Sequence, residues 1–231
     1  MGRKKELSQM KIFENVESKT LDKILKCASI LEVPKGTFLI RAREKTSFVF
    51  FQLSGKSVIY NLTSSGKRKI IFVLGKGALL NENVLNTEGP AMYCESIERS
   101  AVLAVPAADF LRILSEDFEL TKNVLRCQEM KMWRLSHQLK NTMSSILLER
   151  KLASKLWKLA RDFGIPTEEG VEIDLNLTIT FLADMLGVPR ETTSRACTVL
   201  VEQGLIRMNR KRITIVDTGK IVHFFRTGSV V

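Results

Sequence analysis

The sequence predicts an α+β chain of two domains joined by one long helix, on three observations. Residues 30–106 break into short runs rich in Val, Ile, Phe and Leu, set apart by Pro34-Lys35-Gly36, Ser54-Gly55, Ser64-Ser65-Gly66 and Gly75-Lys76-Gly77. That spacing is the mark of an antiparallel β-sandwich or barrel. Residues 118–143 hold neither Gly nor Pro and carry Leu125, Met132 and Leu139 seven apart, with Leu135 between them, which is a short coiled-coil-like seam. Residues 178–215 read as two short helices, a tight turn and a basic hairpin, the pattern of a winged helix-turn-helix. At 231 residues the chain is long enough for two cores, and 45% hydrophobic content suits a globular protein. No apolar run approaches the roughly 20 residues that a membrane-spanning helix needs. The charged start Met1-Gly2-Arg3-Lys4-Lys5-Glu6 has no apolar stretch behind it, so no secretory signal and a cytoplasmic location are expected.

In chain order, a short helix is expected near Thr20 to Ser29, then strands at Phe48 to Leu53, Ser57 to Leu62 and Lys69 to Leu74. On the long helix, Leu120, Val124, Cys127 and Trp133 supply a second set of apolar positions for packing on the β-domain. The seam itself predicts a homodimer, because an unpartnered stripe would face water. A further helix from Ile146 to Phe163 turns Leu147, Leu152, Leu156, Leu159 and Ala160 inward and stops at Gly164. Pro166-Thr167-Glu168-Glu169-Gly170 then forms a polar exposed turn before Val171-Glu172-Ile173. The expected division is 1–116, 117–143 and 144–231.

The first of the two short helices sets Leu182, Met185 and Leu186 on one face, and Ala183 is small enough for a second helix to cross close by. Gly187 ends it with the positive φ common at helix C-termini, and Pro189 fits the start of the next helix. Thr193, Ala196, Cys197, Leu200 and Val201 recur at helical spacing and are expected to face inward, while Arg190, Glu191, Ser194 and Arg195 fall outside near the N-terminal half. A recognition helix presents such residues to base edges in the major groove: Arg pairs bidentately with guanine, and Glu accepts from the cytosine amino group. Phosphates repel a carboxylate, so Glu191 makes better sense as a base reader than as a backbone contact. The bland alternative is a set of surface ion pairs worth little. Gly204 breaks the helix, and Arg207, Arg210, Lys211 and Arg212 crowd a hairpin tip suited to phosphate.

The formal charge of +11 points to nucleic acid, although its distribution matters more than its sum. Residues 1–140 carry 23 basic and 15 acidic residues, and residues 141–231 carry 13 and 10, so the surplus lies mostly outside the motif. Within 190–212, six basic residues face two acidic ones, and this local patch supports the motif. Cys27, Cys94, Cys127 and Cys197 are dispersed, with no C-x-x-C pair, which argues against a zinc site or a cluster with closely spaced thiolates. Buried small hydrophobes are the expectation for them, with a redox-sensing thiol kept open. No metal site and no catalytic site are expected: there is no phosphate loop, no paired catalytic carboxylates and no Ser-His-Asp or Cys-His signature, so the chain is not read as an enzyme.

Arg190-Glu191-Thr192-Thr193-Ser194-Arg195, after Leu182-Ala183 and Gly187 and before Leu200 and Gly204-Leu205-Ile206, closely resembles the recognition helix of the CRP/FNR (cyclic-AMP receptor protein and FNR) family of bacterial transcription regulators. The order VPKGTFLI, FVFFQLSGKSVIYN, SSGKRKIIFVLGKG resembles that family's cyclic-nucleotide-binding β-roll. The resemblance implies an N-terminal antiparallel β-roll that senses an effector, a long dimerisation helix and a C-terminal winged helix-turn-helix. It implies a homodimer on a near-palindromic double-stranded DNA operator, with half-sites resembling TGTGA or TTGAT. Arg190, Glu191, Ser194 and Arg195 would read bases, and Thr178, Thr180, Thr192, Asn209, Arg210 and Lys211 would contact phosphates. RNA polymerase contact near residues 166–170 is implied by the same resemblance.

In that family a phosphate-binding cassette supplies Gly-Glu and, some ten residues later, Arg followed by Ser or Thr. Here Asn81 replaces the glycine before Glu82, the arginine position falls near Pro90, Ala91 and Met92, and no basic residue lies between Lys76 and Arg99. A phosphate left without a counter-charge would be costly to desolvate, so cyclic AMP and cyclic GMP do not fit. Glu82, Ser136 and His137 are the candidate effector-pocket residues, with His137 either an axial heme ligand or a plain helix-surface residue. The effector is unknown from sequence, and heme and thiol oxidation stay open. The alternative function is a ligand-sensing β-roll that regulates a protein partner rather than DNA.

Overall fold

The computed structural model describes residues 2–85, 89–143 and 147–230. In order the elements are α1 (Gly2–Ser8), a 3-10 turn (Lys11–Phe13), α2 (Ser18–Cys27), β1 (Ser29–Val33), β2 (Phe38–Ile40), β3 (Phe48–Ser54), β4 (Ser57–Leu62), β5 (Arg68–Leu74), β6 (Tyr93–Ser96) and β7 (Ser100–Pro106). There follow α3 (Ala107–Glu116), α4 (Phe118–Met143), α5 (Leu148–Phe163), β8 (Gly164–Thr167), β9 (Gly170–Ile173), α6 (Ile179–Leu186), α7 (Arg190–Glu202), β10 (Ile206–Asn209), β11 (Arg212–Ile215) and α8 (Thr218–Thr227). The chain separates into two compact units, residues 1–66 with 70–137, and 67–69 with 138–231.

The first unit is the expected β-roll. Its strands form two antiparallel sheets, β1-β7-β3 and β2-β6-β4-β5. Five consecutive residues of β3, Val49 to Leu53, are buried, as the mostly apolar run FVFFQL requires of a strand covered on both faces, with Gln52 the one polar member. One side of β3 and β7 packs on the helices through Phe13, Ile24, Phe51, Leu103 and Phe110, with Phe51 between Phe13 and Phe110 at centroid distances of 5.1 and 5.5 Å. The other side joins Phe50, Ile59, Phe72, Leu80 and Val102 between the sheets. Gly77 turns the chain at φ 83° and sends residues 77–81 along the outer edge of β3. There Gly77 N–H donates to Gln52 O at 2.8 Å, Gln52 N–H to Ala78 O at 2.9 Å and Leu80 N–H to Phe50 O at 2.9 Å. Asn81, which is buried, finishes the ladder with its side chain: its Oδ1 accepts from Phe50 N–H at 2.7 Å and its Nδ2 donates to Phe48 O at 3.0 Å.

Helix α4 spans the expected residues. Leu120 and Val124 are buried in the helix-facing core and Cys127 packs against it. Trp133 does not join them: it is exposed and its ring stacks on His137, 3.9 Å between centroids, because it falls well round the helix from the Leu120–Val124 stripe. The seam residues Leu125, Met132 and Leu139 are 53%, 64% and 63% exposed, so among the described residues of one chain they are left largely uncovered.

The second unit is the winged helix-turn-helix. Helix α5 buries Leu152, Leu156, Leu159 and Ala160 as expected, but Leu147 precedes the helix and is exposed, and Ile146 lies outside the described residues. The four strands order as β10-β11-β9-β8, so the segment read as a turn is a hairpin whose first strand was not anticipated. Nor was α8, capped by Asp217, whose carboxylate accepts from Gly219 and Lys220 N–H at 2.7 and 3.0 Å. Thr178 caps α6 by accepting from Phe181 N–H at 3.1 Å, and Gly187 ends it at φ 75° in the left-handed region. Helix α7 buries Thr193, Ala196, Cys197 and Leu200; Val201, at the margin of that stripe, is exposed, contrary to expectation.

Candidate nucleic-acid interface and effector site

The outward face of α7 is built by what its inward face buries. Thr193 Oγ1 donates to Pro189 O at 3.0 Å and is fully buried, locking the first turn, while Ala196 and Cys197 admit close packing. Residues at i−2, i+1 and i+2 from Thr193 must then point away; these are Glu191, Ser194 and Arg195, and they are exposed, as is Arg190 at the first position of the helix. Among the described residues, no side-chain hydrogen bond or ion pair engages Arg190, Glu191 or Arg195. The surface-pair alternative for Glu191 is therefore absent from this structure.

The wing is arranged differently. Asn209 and Arg212 pair across a two-residue turn in which Arg210 takes φ 53°. Arg207 reaches Glu169 at 3.0 Å, and Arg212 reaches Asp174 at 2.7 Å and Glu172 at 4.0 Å. Two of the basic residues counted at this tip are thus neutralised by the β8–β9 hairpin. Asn209, Arg210 and Lys211 are exposed, as are Thr180 and Thr192, and Thr178 is partly so with its hydroxyl proton free to donate. The arrangement offers a groove-sized helix with unpaired charges, flanked by a loop presenting two cations.

In the β-roll the structure does not assemble the three candidate pocket residues into one site. Ser136 Oγ donates to Met132 O at 3.0 Å and His137 Nδ1 bonds Trp133 O at 3.0 Å, and both are exposed on the helix that carries them. Glu82 is committed elsewhere: its Oε1 accepts from the N–H groups of Ala91 and Met92, the second at 3.2 Å. These amides stand where the family's arginine position falls, so the chain's own carboxylate occupies the donors there. The thiols are poor nucleophiles where burial is deepest, since desolvation pushes Cys94 up to about 12 and Cys197 up to about 11.

A cation outside the Lys76–Arg99 interval reaches this loop from α4. Lys131 is buried and its Nζ donates to Asn81 O at 2.7 Å, a contact across 50 positions of sequence. Val124, Gln128 and Lys131, four and three apart, share the inward face of the helix, and that periodicity was the available signal.

A helix-turn-helix with a basic wing, carried beside a β-roll, defines a DNA-binding transcription regulator. The Crp-like helix-turn-helix domain model matches residues 150–223 and the cyclic nucleotide-binding domain model matches residues 30–117. The chain is 26% identical over 92% of its length, and 94% of the other's, to flp of Lacticaseibacillus casei, named as a probable transcriptional regulator. It is 22% identical, over 93% of its length and 96% of the other's, to the CRP-like cAMP-activated global transcriptional regulator of Mycobacterium tuberculosis. A CooA mutant from Carboxydothermus hydrogenoformans shares the fold, with a TM-score of 0.73 at 21% identity over 87% of this chain and 89% of that one. The chain belongs to the CRP/FNR family of transcription regulators. Among the described residues, no helix is long and apolar enough to cross a membrane.

Proposed function

We propose that this regulator acts in the cytoplasm as a homodimer on a near-palindromic operator, under control of an effector other than cyclic AMP. The observation that carries this reading is the trio Arg190, Glu191 and Arg195, exposed and unpaired on the N-terminal half of α7. Together with Ser194 they would read bases, with Glu191 and Arg195 setting a TGA core. Thr178, Thr180, Thr192, Asn209, Arg210 and Lys211 would hold the backbone. The exposed stripe of α4, Leu125, Met132, Leu135 and Leu139, supports pairing with a second copy through a coiled-coil seam. Two-fold symmetry would then set two recognition helices about one DNA turn, roughly 34 Å, apart.

Fluorescence polarisation on duplexes carrying inverted TGTGA-type or TTGAT-type half-sites tests the reading, beside a single half-site and a scrambled duplex. A palindrome preferred by about a thousand-fold or more over scrambled DNA at physiological salt is expected. Equal affinity for all duplexes would sink it, as would a monomer in sedimentation at the concentrations that bind. The cyclic-AMP activation of the mycobacterial relative is not carried over, because the sequence has no basic residue between Lys76 and Arg99 and Glu82 already accepts from the Ala91 and Met92 amides. Isothermal titration with cyclic AMP is expected to show no heat of binding. RNA polymerase contact at residues 166–170 belongs to the same proposal: Glu168→Ala should lower transcription in vitro with DNA affinity unchanged, and unchanged transcription would remove it.

A further inference from the structure

The outward stripe of α7 does not end at Arg195. Thr198 is exposed and stands seven residues after Glu191, so Glu191, Ser194, Arg195 and Thr198 fall at i, i+3, i+4 and i+7. At about 100° per residue this brings Thr198 within about 20° of Glu191 and about 10.5 Å further along the axis. A helix laid along the major groove turns residues so spaced toward successive base pairs. The length from Glu191 to Thr198 matches about three base pairs at roughly 3.4 Å each.

Thr198 differs from its three neighbours on the stripe in what it can offer a base. Its Oγ1 donates to Ser194 O at 3.2 Å, one turn back on the same helix. The hydroxyl is thereby turned onto the backbone and spent there. Of the three substituents on a threonine Cβ one is hydrogen, so the γ-methyl is the group left to face outward. Glu191 and Arg195 present charge to the groove, and Thr198 presents hydrocarbon. A methyl group neither donates nor accepts, so the base feature it can distinguish is another apolar group. In the major groove that group is the C5-methyl of thymine, and contact between the two removes apolar surface from water.

We infer that Thr198 is a further specificity-determining residue of this regulator, and that it reads a thymine through contact between the two methyl groups. This rests on the operator reading of α7 and deepens it. The base pair lies on the side of the half-site toward which the C-terminal half of the helix runs.

Fluorescence polarisation tests it with the full-length protein on the inverted half-site duplex that the protein prefers. Every thymine of a half-site is replaced in turn by deoxyuracil, which lacks only the 5-methyl group. The two base pairs flanking the half-site are set in turn to T·A and A·T and treated alike. Thr198→Ser keeps the hydroxyl and removes the methyl, whereas Thr198→Val keeps the methyl and removes the hydroxyl. At one position, loss of the thymine methyl should weaken wild type and Thr198→Val by about fourfold per half-site, the effect of one buried methyl group. Thr198→Ser should bind the thymine and uracil duplexes equally at that position, with the affinity wild type has for the uracil one. The slope of log affinity against log salt should be the same for all three proteins, because no phosphate contact is lost. Thermal midpoints should also agree, since the side chain is exposed. If deoxyuracil costs nothing at every position, or costs wild type and Thr198→Ser alike, Thr198 reads no thymine and the inference falls. Those results would leave the preference for a palindrome intact; loss of that preference itself would sink the operator reading, and this inference with it.

Discussion

Helix α7 and the loop from Gly77 to Met92 both carry residues that the sequence marks for recognition, and they treat them in opposite ways. On α7 the outward Arg190, Glu191 and Arg195 make no side-chain bonds among the described residues, because the inward face, Thr193 to Leu200, already holds the helix in place. In the loop, Asn81 and Glu82 spend their polar atoms on the protein's own backbone. A polar residue that stabilises the fold is not available to a ligand, and one that faces a ligand adds nothing to the fold. The two regions can therefore be separated by measurement.

The largest effect is expected at Asn81. Asn81→Leu leaves Phe50 N–H and Phe48 O without their partners and should destabilise the protein by about 1–3 kcal/mol for each group left unsatisfied, read by urea unfolding. A change below about 0.5 kcal/mol, the size of an ordinary surface substitution, would show that the side chain is not closing that ladder. Next, Glu191→Ala should lose about 1–3 kcal/mol of discrimination at one base pair with unfolding unchanged. Uniform weakening across all operator variants, or a loss of stability, would erase the contrast between the two regions. Smaller is Arg210→Ala, which should lower the slope of log affinity against log salt by about 0.9 for one lost phosphate contact. An unchanged slope would take Arg210 out of the interface, leaving Lys211 as the cation of the tip.

The smallest effect concerns pH. Asp217 is held below the usual carboxylate range by the N–H groups of Lys220 and Gly219. Its folded value is depressed, so its contribution is present above the unfolded value near 3.9 and is lost as pH falls through the folded value. Asp217→Ala should therefore match wild type more closely as pH drops from 4 toward 2 and differ most at neutral pH. A difference that does not shrink on acidification would exclude the charged cap.

How far these features could be read in advance depended on how local their cause is. Residues 118–143 were legible because 26 residues without Gly or Pro favour one helix, and the helix-turn-helix because Gly187 and Gly204 mark its breaks. Strand β8 was not, since Pro166 argues against a strand. It is tolerated because β8 lies at the sheet edge, where the missing N–H is not needed. Helix α8 carries its own local signs, Asp217 before it and Gly228 at φ 89° after it. The outward face of α7 followed from helical period alone. The occupation of Glu82 by Ala91 and Met92 and the arrival of Lys131 beside Asn81 depend on long-range folding, which no short window of sequence contains.

The carboxamide of Asn81 has a consequence of another kind. Strand β3 borders its sheet, and an open border offers a row of donors and acceptors to any passing chain. Residues 77–80 cover most of that row, and the amide of Asn81, a copy of a peptide group on a short stem, covers the rest at Phe48 and Phe50. One side chain thereby keeps two aromatic positions of the apolar run FVFF, residues 48–51, from pairing with another molecule. Its loss would show first as a protein that clumps in the cell, before any difference in gene control could be scored.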